Sequence, residues 1–450
     1  MSTKKKLKGI SRRDFIRAAG AGVVAAGLGA NIIIPSRARA GRKKLKILKS
    51  DYGYRGVFTT FEKWFNNTYV KEWGENNNTE VIVDNSGWPL VDAANEVIFQ
   101  EGHDLIFASD PMVAFEDHVI DHREIWEECE RKYGKPTEFA VKEGYNPKTK
   151  KHFALCLAFW PQLLNYRKDL WDDVGIFPDS WNDVRVGGRK IKQKHGKAVG
   201  IGLNDEKEWN RTLRTIMYSF GASVQDEEGN IVLNSKQTLE AVKFIKALYE
   251  ETMIPDVTHW GIWSHSEFMT RGNGSLVIND IWGTREAEKK YPEISKKIHL
   301  AKPPQGSVGR VGSAYTIYSV IWKFAENIEG AKKFLIDYIG NSKKAFLASE
   351  FLFLPCFPNT VSDLKQLIAD DPQAHPPTKY KVLGNALDWT TNIGHPGYNN
   401  QAIDEVFVTW VIPEMFRKVA TSKAKPDDAI KEAEAKCKRI FANWREKGFV

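Results

Sequence analysis

The side chains best placed for chemistry in this chain are aromatics and acids that fall between regular elements. Of its 15 tryptophans, several stand in predicted loops rather than on helical stripes. Asp51 and Tyr52 follow one predicted strand, Trp88 follows the next, and Asp110 follows the third. A pair of carboxylates at such strand ends accepts two hydroxyl hydrogen bonds, and these charge-assisted bonds are stronger than neutral ones. Asp residues in such places equally serve as helix caps. Trp209 and Arg211, just behind Glu208, occupy a further predicted loop.

Motifs for covalent or redox chemistry are missing. There is no H-E-x-x-H, G-x-S-x-G, P-loop or C-x-x-C-H. His259 and His265 are six apart, off the i, i+4 spacing of a helical metal pair, so no metal site is expected. Gly20-Ala21-Gly22-Val23-Val24-Ala25 fits a loose dinucleotide fingerprint but follows no strand, and no cofactor is expected. Asp172-Asp173 and Asp370-Asp371 read as turn or capping residues. Spacing leaves open a glycosidase whose two carboxylates come from distant positions.

The elements that must position these side chains alternate as in an α/β fold. Leu45–Leu48, Val81–Val83 and Leu105–Phe107 read as strands. Val57, Phe58, Phe61, Trp64, Phe65 and Trp73 recur at helical spacing, predicting a helix over 57–73, and a second helix spans 90–101. The loops carrying Asp51, Tyr52, Trp88 and Asp110 therefore lie at the carboxyl ends of strands, where open parallel sheets bind ligands. Further on, 155–160, 163–166, 276–279 and 312–322 read as extended, while 235–252, 328–338 and 429–444 read as helices. Asp179-Ser180 is expected to cap another helix.

The N-terminus reads as an export signal. Ser11-Arg12-Arg13-Asp14-Phe15-Ile16-Arg17 is followed by an Ala/Gly-rich apolar stretch and by Ala38-Arg39-Ala40, the pattern of a twin-arginine signal cleaved before Gly41. Nine of the 65 Lys and Arg, and one of the 57 Asp and Glu, lie in residues 1–40, leaving residues 41–450 with 56 of each. The sequence pI near 9.0 thus belongs to the signal, and no nucleic-acid partner is expected. The four cysteines lie far apart with no C-x-x-C, so buried single thiols are expected. Residues 41–450 are too many for one core, predicting two lobes.

Four blocks resemble the extracellular solute-binding proteins of ABC importers, family 1. The first runs Leu163-Leu164-Asn165-Tyr166-Arg167-Lys168-Asp169-Leu170-Trp171, then Gly175-Ile176-Phe177-Pro178 and Ser180-Trp181-Asn182-Asp183. The second is Ser219-Phe220-Gly221-Ala222 through Gly229, and the third runs from Phe268 through Gly272-Asn273-Gly274 to Asp280-Ile281-Trp282. The fourth extends from Pro303-Pro304 to Lys333-Phe334-Leu335. The chain departs from the family pattern at Cys156–Trp160, which replaces the usual proline and small residues, and at Ala108, where relatives often carry an aromatic.

The resemblance implies a type II periplasmic-binding-protein-like fold, two α/β lobes with a central cleft and hinge crossovers near Ala158, Ser313 and Phe357. It divides the chain into a signal (1–40), a first lobe (41–158 and 314–357) and a second lobe (159–313 and 358–450). It places Trp282 in the cleft and makes Trp389 a further cleft aromatic; Trp160 and Gln162 fall at the first crossover, and Tyr315 near the return. A sugar offers flat C–H faces and a rim of hydroxyls, which suit aromatic planes and planar polar groups. The implied function is a soluble periplasmic subunit that captures a sugar, oligosaccharide or polyol by hinge closure and passes it to membrane permease subunits, after export by the twin-arginine translocase. A secreted enzyme (glycosidase or redox enzyme) and a binding protein used only for sensing are the alternatives.

Overall fold

The computed structural model describes residues 42–109 and 111–450. The expected export signal and Asp110 lie outside the described residues.

One mixed sheet forms around three parallel strands, Lys43–Ser50 in the middle with Thr79–Ser86 and Leu105–Ala108 on its flanks. The strand Gly312–Ile321 then runs antiparallel between Leu105–Ala108 and Leu155–Pro161, and Leu354–Pro355 adds to the far edge. Gly312–Ile321 and Leu155–Pro161 are buried along their whole lengths, so this part of the sheet is covered on both faces. The helix expected over 57–73 is continuous from Thr59 to Asn76, though its middle turn, Trp64–Tyr69, is wound as a π-helix. Phe61, Phe65, Tyr69 and Trp73 project from one side of it into the core.

A second sheet has the order Ile298–Ala301, Leu163–Arg167, Gly274–Asn279, Ala198–Gly200. Helix Trp181–His195 lies against it. Its capping box is made by Ser180 and Asp183, as the Ser-x-x-acid spacing predicts. The two sheets own separate buried clusters. The first takes Leu45 to Leu163, Ile281 and Ala314 to Trp389; the second takes Leu164 to Ile298 and Ile393 to Trp444.

The chain passes between the sheets in three places. Gln162 alone separates Leu155–Pro161 from Leu163–Arg167. The return runs from Ala301 into Gly312. The third passage lies between Trp389 and Ile393, downstream of Phe357, because Val361, Ile368, Tyr380 and Leu383 are buried with the first cluster.

One element differs outright from expectation. The segment behind Glu208 is helical, Lys207–Ser219, and is buried on nearly every side. A helix enclosed by protein needs no polar outer face, so Asn210, Arg211, Thr212, Arg214 and Thr215 interrupt the apolar periodicity that marks surface helices. All four cysteines are buried and unpaired. Among the described residues no helix is long and apolar enough to cross a membrane, and no group of three or more His, Cys, Asp or Glu is arranged to hold a metal ion.

Candidate functional site

Helix Lys207–Ser219 fastens all three passages. Gln162 donates to Glu208 Oε1 at 2.9 Å and to Thr212 Oγ1 at 3.0 Å. Ser313 N donates to Thr215 Oγ1 at 2.9 Å, and Arg211 Nη1 donates to the Ala314 carbonyl at 2.7 Å. Arg214 Nη1 and the Tyr218 hydroxyl both reach the Ile393 carbonyl, at 3.0 and 2.7 Å. Buried polar groups demand partners, and these partners are backbone or amide groups of the crossing segments. The first and second passages also bond directly, Gln162 N to Ser313 O at 3.1 Å.

Aromatic faces gather beside this hinge. Trp160 and Tyr315 stand opposite one another in the ladder, and their rings stack with centroids 5.4 Å apart and planes within 10°. Tyr52, on the loop after Lys43–Ser50, meets Trp160 edge-on at 6.2 Å. Trp282 opens the helix Trp282–Lys290 after a second-sheet strand. It lies 4.8 Å from the Phe58 ring and 5.3 Å from that of Trp263, and its buried ring N–H meets no acceptor. Trp88 is 51% exposed, and Lys207 Nζ sits 5.7 Å from its ring, so a first-lobe loop meets the start of a second-lobe helix.

The polar groups are mostly acids. Glu208 accepts from Gln162 and, at 2.5 Å, from the Tyr315 hydroxyl. Burial and the Glu208 charge push the Tyr315 hydroxyl well above its ordinary pKa, so it stays a donor. His265 Nε2 is 3.9 Å from Glu208 Oε1, beyond hydrogen-bond reach, and burial pushes its pKa down. Asp280 accepts from Trp282 N at 2.6 Å. Burial first, and the Glu208 charge second, push its carboxyl up to about 7.

A third group bridges the lobes at the edge of this region. The Arg55 guanidinium reaches Glu286 at 3.1 Å and Glu267 at 3.2 Å, and lies 5.4 Å over the Trp263 ring. Lys290 donates to the Arg55 carbonyl at 2.9 Å, and Lys289 donates to that of Val57. Two glutamates hold Arg55 above its usual pKa despite burial acting the other way.

The structure thus brings together Trp160, Gln162, Tyr315, Tyr52 and Arg211 of the expected site, whereas the Trp282 ring packs between Phe58 and Trp263. Trp88 stands at the outer side of that site. Asp51 is exposed, and its carboxylate caps the turn at Gly53 N, 2.9 Å away. Trp209 points into the second core, with its indole N–H on the Trp260 carbonyl at 3.0 Å. The reason is helical geometry: neighbours on a helix do not share a face, so Glu208 and Trp209 diverge. Trp389 is buried in the first cluster, tight against Gly312.

Glu208, Asp280, His265, Trp263 and Arg55 were not among the residues expected here. One signal for the first was legible, since Glu208, Arg211, Thr212 and Thr215 repeat at three- and four-residue spacing, the polar stripe of a buried helix.

With this geometry in hand, the chain can be set beside known proteins. The family model described as bacterial extracellular solute-binding protein matches residues 126–350, half of the chain. A putative binding protein of Brucella abortus is 25% identical over 210 residues, covering 46% of this chain and 51% of that protein. A probable ABC transporter-binding protein of Deinococcus radiodurans is 23% identical over 288 residues, covering 62% and 66%. The chain spans about half the length of the first of these curated relatives. The solved structure of maltose-bound T. maritima MalE3 superposes with a TM-score of 0.71 at 18% identity, covering 88% of this chain and 99% of that one. The fold is therefore the two-lobed α/β architecture of type II periplasmic-binding proteins.

Proposed function

Since the chain belongs to the bacterial extracellular solute-binding protein family, we propose that it is the soluble substrate-binding subunit of an ABC importer. It is exported by the twin-arginine translocase, loses residues 1–40 and works in the periplasm. There it captures a sugar, oligosaccharide or polyol and presents it to the membrane subunits of a permease. The two lobes hinge about the passages at Gln162, Gly312 and Trp389–Ile393. The segment 358–389 moves with the first lobe, a partition supported by its burial in the first cluster.

One observation carries this reading: the stacked rings of Trp160 and Tyr315 stand beside Gln162 and Glu208 at the hinge, while Trp282, opening a helix that follows a second-sheet strand, packs on Phe58 of the first core. Rings suit the C–H faces of a sugar, and the amide and carboxylate suit its hydroxyls. The maltose held by the T. maritima protein and the transporter role of the D. radiodurans relative point the same way. A solute stabilises the closed arrangement only by its greater affinity for that arrangement.

A glycosidase is the second reading, favoured by the buried acid pair Glu208 and Asp280. Against it, Glu208 is already engaged by Gln162 and Tyr315, and Asp280 by Trp282 N. A thermal-shift screen of residues 41–450 with sugars, polyols, amino acids and polyamines separates these readings. Binding raises Tm by mass action. A carbohydrate or polyol hit without release of reducing ends supports the importer subunit, and turnover supports the enzyme. Hits confined to amino acids or polyamines overturn the carbohydrate assignment.

A further inference from the structure

Strand Lys43–Ser50 carries Lys43, Lys44, Lys46 and Lys49, and only Lys49 is buried, with none of its side chain exposed. Its ammonium stands among the rings of Tyr52, Phe61 and Phe65, at 5.3, 5.8 and 5.6 Å from their centroids. Burial pulls its pKa down, with the Glu62 charge acting the other way. A buried charge is costly even when paired, and an apolar side chain would fill the same space without that cost. The pair therefore calls for a reason beyond packing.

That reason lies in the other bonds of the partner. Lys49 Nζ donates to Glu62 Oε1 and Oε2 at 2.7 and 2.8 Å and to the Ser50 carbonyl at 2.8 Å, which occupies its three donors. Glu62, on the helix that starts at Thr59, also accepts from Asn66 Nδ2 at 3.1 Å and from the Tyr52 amide at 2.9 Å. Tyr52 belongs to no strand or helix, so this last bond ties the loop after the strand to the helix. The loop runs so close that a Cβ on Gly53 would stand 2.9 Å from Glu62 Cγ. From this attachment the loop makes two contacts. Tyr52 meets Trp160 edge-on at 6.2 Å and Phe353 at 4.9 Å, and Arg55 reaches Glu286 and Glu267 of the second lobe.

We propose that Glu62, held by Lys49, is a positioning residue of the binding site: by fixing the Tyr52 amide it sets the first-lobe loop so that Tyr52 abuts Trp160 and Arg55 faces the second lobe. This rests on the reading of the chain as a solute-binding protein and adds the device that orders one side of its site. A carboxylate acceptor makes the bond to Tyr52 N stronger than a neutral one, and the ammonium behind it offsets the buried charge. A loop ordered before the solute arrives leaves less ordering to be done on binding. Glu62 itself acts through Tyr52 and Arg55.

Two variants of residues 41–450 test this. Gly53→Ala pushes the loop off Glu62 and leaves the Lys49–Glu62 pair whole; Gly53 has φ −80°, which alanine adopts freely. The double change Lys49→Met with Glu62→Leu removes the acceptor and leaves no buried charge behind. In both, hydrogen exchange over residues 50–55, read by mass spectrometry, is expected to quicken at least about tenfold while that of Leu155–Pro161 stays as in wild type. Calorimetric affinity for maltose, laminaribiose, tagatose and ribitol, and for any further hit of the thermal-shift screen, is expected to fall at least about tenfold for those that bind, with Tm close to wild type. Trp64→Ala, on the same helix, is expected to lower Tm without either change. Wild-type loop exchange in Gly53→Ala, or faster exchange with wild-type affinity, overturns the positioning role and leaves the solute-binding reading standing. If the wild-type protein binds no sugar or polyol, the carbohydrate reading falls, and the exchange data alone decide whether Glu62 holds the loop. Gly53→Ala replaces no buried side chain, so it decides the matter even if the double variant does not fold.

Discussion

The Tyr315 hydroxyl donates to Glu208 Oε2 at 2.5 Å, joining a strand of the first sheet to the helix that fastens the hinge. The same tyrosine ring stacks on Trp160. One side chain therefore sets both the aromatic wall and the position of the carboxylate beside it.

Tyr315→Phe keeps the stack and removes the donor. A hydrogen bond to a buried charged group contributes about 2 kcal/mol, so the variant is expected to lose about that much in urea unfolding with an unchanged m-value. A loss below about 0.5 kcal/mol shows that water or another donor replaces the hydroxyl at Glu208.

Trp282 and Trp64 have similar neighbours but different places. Trp282 opens a helix that follows a second-sheet strand and lies between Phe58 and Trp263, whereas Trp64 belongs to a first-sheet helix and stacks on Tyr69 at 5.3 Å. Trp282→Ala is expected to weaken solute binding at least about tenfold, roughly 1.4 kcal/mol. Trp64→Ala should lower Tm and leave affinity unchanged. Equal effects on affinity reject the placement of Trp282 at the site.

Arg55 spans the lobes through Glu267 and Glu286, with side-chain exposures of 26%, 40% and 3%. Partly exposed pairs contribute about 0.2–1 kcal/mol and weaken with salt. Arg55→Ala is expected to reduce solute affinity by up to about fivefold at low salt, with the difference vanishing in 1 M NaCl. An effect independent of salt points to lost packing on Trp263 instead.

The raised Asp280 carboxyl makes stability depend on pH. Between its ordinary 3.8 and about 7 the folded chain retains a proton that the unfolded chain has released. Stability therefore falls as pH rises through that window and levels above it. In Asp280→Asn this titration is gone, so the Tm of the variant relative to wild type should climb from about pH 4 to about pH 7 and then stay flat. A difference that does not vary with pH rejects the burial of this carboxyl.

Replacing Arg12 and Arg13 with lysine tests the export route. Accumulation of unprocessed chain in the cytoplasm is expected, since the paired arginines define that signal. Normal export and processing of the double variant assigns the segment to the general secretory route.

How much of this was legible beforehand follows from which signals are local. Strands at 45–48, 105–107, 155–160 and 163–166, and helices at 90–101 and 235–252, are legible from apolar periodicity and turn residues. They recur as Lys43–Ser50, Leu105–Ala108, Leu155–Pro161, Leu163–Arg167, Pro89–Phe99 and Lys236–Thr252. Each has one environment on each face, so its sequence carries its own pattern. Lys207–Ser219 escaped because it is enclosed by two cores and three chain passages, and its polar residues answer to backbone far away in sequence.

The sequence by itself determined the alternating α/β elements, the two-lobe organisation that its motifs resemble, and Trp160, Gln162 and Tyr315 as residues near a crossing. Only the tertiary structure decided that Trp209 and Trp389 turn into cores while Glu208 turns to Gln162 and Tyr315 at the hinge. Indoles and carboxylates are equally at home in caps, cores and clefts, and the choice depends on partners such as Tyr315 and Gln162 that lie tens of residues away.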